Sequence, residues 1–124
     1  MLLSLSLARI NPLMTTAIVE LIHATEGARL PVGAKLLDVT VDLSDSSPQD
    51  CPPLSQYRIV LREAAWLRRW LVKPADEPEV GAPLALFSTA ADEPLDGVPA
   101  RAIRVMTAGI VWDAKAYPWD QAPA

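Results

Sequence analysis

Sulfur and imidazole are nearly missing from this chain, whose 124 residues include one cysteine, Cys51, and one histidine, His23. A lone thiol closes no intrachain disulfide, and one thiol with one imidazole falls short of a structural zinc site, so disulfide scaffolds and zinc folds are excluded. Glycine is scarce, at 5 residues, and none is spaced as Gly-x-Gly or precedes Lys-Ser. The phosphate-cradling loops of nucleotide-binding proteins are therefore absent. Positive charge is in deficit: 11 Lys and Arg against 15 Asp and Glu give a net −4 and an isoelectric point near 4.8. Such a chain offers no electrostatic footprint for nucleic acid or for an anionic membrane surface. No stretch approaches the roughly 18 apolar residues of a membrane span. What the chain does have is apolar material, 51% of its residues at a mean hydropathy of +0.20, enough for a packed core and too much for wholesale disorder. Its length suits one domain of the usual size.

The apolar material comes in short pieces. Leu3, Leu5 and Leu7 alternate with Ser4 and Ser6 at period two, which predicts a strand with one buried face. The same segment lacks a basic start and is cut short by Arg9 and Asn11-Pro12, so it makes a poor export signal, and a cytoplasmic location is expected. Residues 17–24, 36–41, 57–61, 66–72 and 83–87 are further apolar or β-branched runs set apart by Gly, Pro and Asp. After a linker-like stretch at 88–99, residues 101–112 predict one more strand. The β domain is expected to span 1–113. Residues 114–124 form a Pro-broken tail carrying Tyr117 and Trp119.

One segment has two readings. Residues 58–72 contain strong helix formers, with apolar side chains at Trp66, Leu67, Trp70 and Leu71, and local propensity favours a helix. An internal match favours a strand. Val32, Gly33, Ala34 and Leu36 align with Val80, Gly81, Ala82 and Leu84 at an offset of 48 residues. The same offset sets Ile18 on Trp66, Val19 on Leu67, Ile22 on Trp70 and His23 on Leu71. Two copies of one unit require the same local structure in both, so residues 66–72 are read as a strand.

With these two Val-Gly-Ala steps, each followed by a leucine, residues 3–87 resemble the lipoyl/biotinyl attachment domain family. Its members include biotin carboxyl carriers, the acyltransferase subunits of 2-oxo acid dehydrogenases and the glycine-cleavage H protein. The resemblance implies an all-β fold: a flattened barrel, or barrel-sandwich hybrid, of two quasi-repeated halves, here with an extra C-terminal strand and tail. It also implies a modifiable lysine at the tip of a tight hairpin between the halves. Counting back from Tyr57 puts that position near Leu54, where no lysine stands. The chain's three lysines are Lys35, Lys73 and Lys115, and the first two fall in or beside the glycine turns. Amide attachment of lipoate or biotin requires a primary amine, so no covalent cofactor is expected.

Other chemistry finds little support. Asp42, Asp45, Asp50 and Cys51 lie in the polar 42–56 loop, but they lack calcium-loop spacing and form no zinc set. His23 has no Gly-x-Ser-x-Gly nucleophile to serve, and no catalytic constellation emerges. The expectation is a non-catalytic interaction or assembly module with a protein partner, a multi-subunit enzyme complex among the candidates. Arg62, Arg68 and Arg69, beside Arg58, form a basic cluster, and Tyr117 and Trp119 supply aromatic contact area. These five residues, Arg62, Arg68, Arg69, Tyr117 and Trp119, are the expected partner-binding set. The alternative is a small-ligand-binding domain, or a small accessory subunit of an enzyme complex, that uses the 42–56 loop.

Overall fold

The computed structural model describes residues 1–42 and 54–110. The described residues form strands and turns with no helix, and so none long and apolar enough to cross a membrane. In chain order the strands are β1 (Leu2–Ser6), β2 (Ile18–Ile22), β3 (Arg29–Leu30), β4 (Lys35–Asp42), β5 (Leu54–Leu61), β6 (Ala65–Trp70), β7 (Pro83–Ser88), β8 (Arg101–Ala102) and β9 (Val105–Ile110). One sheet has the order β3-β6-β7-β1-β8 and the other β2-β4-β5-β9. The strands lie in two sheets, a sandwich-like arrangement, and do not close into a single barrel.

Alternation along the strands puts the core between the sheets. Leu3 and Leu5 of β1, Val39 and Val41 of β4, Ile59 and Leu61 of β5, Leu67 of β6 and Phe87 of β7 belong to one buried cluster. The expected strand at 66–72 is β6. Its helix formers lose to tertiary pairing, because Trp66, Leu67, Arg69 and Trp70 hold register with Ser88, Phe87, Leu86 and Ala85 of β7. The run expected over 101–112 divides in two. Ile103 is buried between β8, which runs parallel to β1, and β9, which runs antiparallel to β5.

Contacts in the first half of the chain recur in the second, 48 residues on. Gly27 N–H donates to the Leu67 carbonyl and Leu67 N–H to that of Ala28 (2.7 and 3.0 Å); Ala75 N–H donates to Val19 and Val19 N–H to Asp76 (2.7 and 2.8 Å). Gly33 and Ala34 exchange bonds with Leu61 as Gly81 and Ala82 do with Leu7, although Leu7 and Leu61 lie 54 residues apart. The irregularities match as well. The β2·β4 ladder shifts between Val19 and Leu21, and the β6·β7 ladder between Leu67 and Arg69. Leu36 and Leu84 are each skipped in their ladders with β5 and β1, and both side chains are fully buried. Gly33 and Gly81 adopt φ of 94° and 92°, and Gly27 and Ala75 adopt 88° and 79°, the left-handed region in which glycine alone is unstrained.

Candidate functional site

The outer face of the four-stranded sheet carries a polar cluster centred on Asp38. On β4, Leu37, Val39 and Val41 point into the core, so Asp38 and Thr40 point outward. Asp38 stands directly across from Arg58 on β5 and from Leu21 on β2. Arg58 donates through Nε to Asp38 Oδ1 at 2.8 Å and through Nη2 to Oδ2 at 3.1 Å. His23, just past the end of β2, brings Nε2 to 3.0 Å from Oδ2. Burial works against the Asp38 charge, but the hydrogen bonds from Arg58 and His23 outweigh it and hold the carboxyl below its ordinary range. Arg58 is in turn held more firmly protonated by its bonds to Asp38.

The chemistry of this trio is restrictive. Both Asp38 oxygens are engaged and its basicity is depressed, so it is ill suited to take a proton from a substrate. No hydroxyl or thiol nucleophile is among its described partners. The trio is a clasp across three strands, and beside it opens a hollow of about 350 Å³ lined by Glu20, Leu21, Asp38, Val39, Gln56, Arg58 and Ile110. Leu21 and Met106, which pairs with Val60 farther along β5, stand largely exposed on the same sheet. Among the described residues, no group of three His, Cys, Asp or Glu side chains is placed to hold a metal ion.

The expected basic cluster is not one patch. Arg58 is spent on Asp38. Arg62 lies past the end of β5 in the turn to β6, with Nη1 3.4 Å from Met106 Sδ. Arg68 and Arg69 are on β6, in the other sheet. Arg68 braces the turn after β7: its Nη1 donates to Ser88 Oγ at 3.2 Å and to the Glu93 carbonyl at 2.6 Å, while the Glu93 carboxylate holds the N-terminal ammonium. Arg69 is exposed. The short β5–β6 turn carries the chain from one sheet to the other and so separates arginines that lie close in sequence.

A second ion pair joins residues that no sequence spacing connects. Glu63, in that same turn, receives Arg101 Nη1 and Nη2 at 2.7 and 2.8 Å and the Arg104 N–H at 2.7 Å. Chiefly through the Arg101 hydrogen bonds, its carboxyl is held at about 2 against an ordinary 4.5. Leu54 pairs with Asp42 on the β4·β5 ladder, so the connection between these strands is made by residues 43–53. Those residues, with Asp45, Asp50 and Cys51 and most of the 42–56 loop, lie outside the described residues, as do Lys115, Tyr117 and Trp119. Lys35 begins β4, and Lys73 lies in a turn where its N–H donates to Asp76 Oδ2 at 3.0 Å. Comparison with protein-family models, curated proteins and solved structures finds no match.

Proposed function

We propose that this chain is a lipoyl/biotinyl-like module that carries no prosthetic group and works without catalysis, by association with a protein partner. The observation that carries the reading is the recurrence of contacts in both halves: paired hydrogen bonds, ladder shifts and left-handed turn residues. Chance resemblance between two Val-Gly-Ala steps does not require their long-range partners to agree. A unit used twice, in head-to-tail halves that pair with each other, does.

The loss of the carrier role is supported by the sequence between β4 and β5. A swinging cofactor requires an amine at the turn joining the halves, and residues 43–53 contain no lysine. Lys35 and Lys73 belong to strand and turn positions elsewhere. The clasp at Asp38 and Arg58 supports an association role, since it fixes a sheet face on which apolar Leu21 and Met106 remain open to contact. Intact-mass spectrometry of the protein purified from its own cells tests the reading. The expected mass is that of the unmodified chain. A lipoyl or biotinyl adduct on Lys35, Lys73 or Lys115 would overturn it.

A further inference from the structure

Sheet edges are where chains pair with one another, and the four edge strands of this protein are protected unequally. β3 and β8 are two residues long and include Arg29 and Arg101. The outer side of β2 is covered by the 75–80 segment, through the bonds of Val19 with Ala75 and Asp76 and of Ala17 with Pro78. β9 is different. It runs six residues, its ladder with β5 has no shift, and no described strand lies beyond it. Between Arg104 and Asp113 the sequence has no charged residue and no proline, the devices that usually blunt an edge.

The direction of its free groups follows from one bond. Arg62 N–H donates to the Arg104 carbonyl at 2.9 Å, in the same register as the β5·β9 ladder. Alternation then turns the amides and carbonyls of Met106, Ala108 and Ile110 toward β5, and those of Val105, Thr107 and Gly109 away from the sheet. Gly109 adds a second observation. A glycine inside a strand commonly marks a bulge, a bend or the close approach of another backbone. The ladder here is regular, φ is not left-handed, and a Cβ at this position would meet nothing within 4 Å. Nothing among the described residues gives Gly109 a task.

We infer that β9 is a self-pairing edge, which joins a second copy of this chain antiparallel about a twofold axis at Thr107. Self-complementarity is the ground for choosing a second copy. About that axis Thr107 meets Thr107, a favourable cross-strand pair, and Val105 meets Gly109. On the other face, Met106 stands opposite Ala108, large against small. Although each chain has a net charge of −4, no charged side chain lies in the paired strand, so pairing sets no like charges opposite one another in it. The inference is independent of the carrier-like reading: a cofactor adduct would sink that reading and leave this one standing.

Sedimentation equilibrium of the full chain tests it, alongside three variants. Wild type should reach twice 13.4 kDa as concentration rises. Thr107→Lys sets two ammonium groups face to face and should weaken the dimer at least about tenfold. Thr107→Pro removes an N–H that serves no bond within the described chain and should do the same, whereas Thr107→Val should keep the dimer. Far-ultraviolet circular dichroism and thermal midpoints measured on dilute protein verify that Thr107→Lys remains folded. A wild type that stays monomeric to about 1 mM, or a dimer that both Thr107→Lys and Thr107→Pro leave intact, would contradict the inference.

Discussion

At the scale of single residues, two carboxylates each tie three segments of the chain together. Glu63 ties the β5–β6 turn to β8 through Arg101 and to the start of β9 through the Arg104 N–H. Asp38 ties β4 to β5 and to the end of β2. A carboxyl whose pKa is lower folded than unfolded stabilises the fold above its ordinary pKa, and that contribution is lost as pH falls toward the folded value. For Glu63 the window runs from about 4.5 down to about 2. Urea midpoints should therefore fall steadily from pH 5 to pH 2. Glu63→Gln should cost about 1.5–3 kcal/mol at neutral pH, the range for hydrogen bonds to charged groups, and should flatten the acid dependence. An unchanged acid slope in Glu63→Gln would place that dependence elsewhere. Asp38→Asn should destabilise to a similar degree, since it leaves Arg58 with a neutral partner across the strand.

Neither ion pair was legible in advance, for a physical reason. Asp38 and Arg58 are charges set in the middle of apolar strands, equally far from the β4–β5 connection, and that symmetry is the one signal that would have paired them. Reading it requires knowing where the ladder begins. The lone histidine gave no hint that its ring reaches Asp38, because the β2·β4 shift between Val19 and Leu21 determines where the strand's end falls. The arginines misled in the opposite sense, since sequence proximity suggested a patch that the two sheets divide.

Elements were far more legible. Period-two alternation found β1, apolar or β-branched runs bounded by Gly, Pro and Asp found β2, β4, β5 and β7, and the repeat offset found β6 against its own helical propensity. β3 escaped because two residues carry no periodicity, and β8 and β9 read as a single run because nothing in 101–112 marks the break at Ile103. The turns offer a test at this scale. Gly27 and Ala75 hold equivalent positions at positive φ, yet only one is glycine. Ala75→Gly relieves left-handed strain and should stabilise by about 0.5–1 kcal/mol after the added freedom of the unfolded chain is counted. Gly27→Ala should cost about 1 kcal/mol from backbone strain alone, because the added Cβ meets no atom within 4 Å. Urea denaturation of the two variants checks both signs; a destabilised Ala75→Gly would show that the two turns are not equivalent.

For the molecule as a whole, the proposal is of one strand-turn-strand unit used twice, its halves completing each other's sheets, with the attachment amine absent and association as the remaining role. The sheet orders express this interdependence: β1 pairs with β7, and β4 with β5, so each half's first strand borders the other half's last. Neither half then holds its own core, and unfolding should be a single cooperative event. The most direct test is an NMR map of slowly exchanging amides and long-range NOEs in the native protein. The account predicts matched protection at Val19 and Leu67, at Gly27 and Ala75, and at Gly33 and Gly81, with NOEs linking Val19 to residues 75 and 76 as Leu67 is linked to residues 27 and 28. Protection and NOEs at the Leu67 set with none at the Val19 set would contradict the twofold build and the carrier-like reading that rests on it.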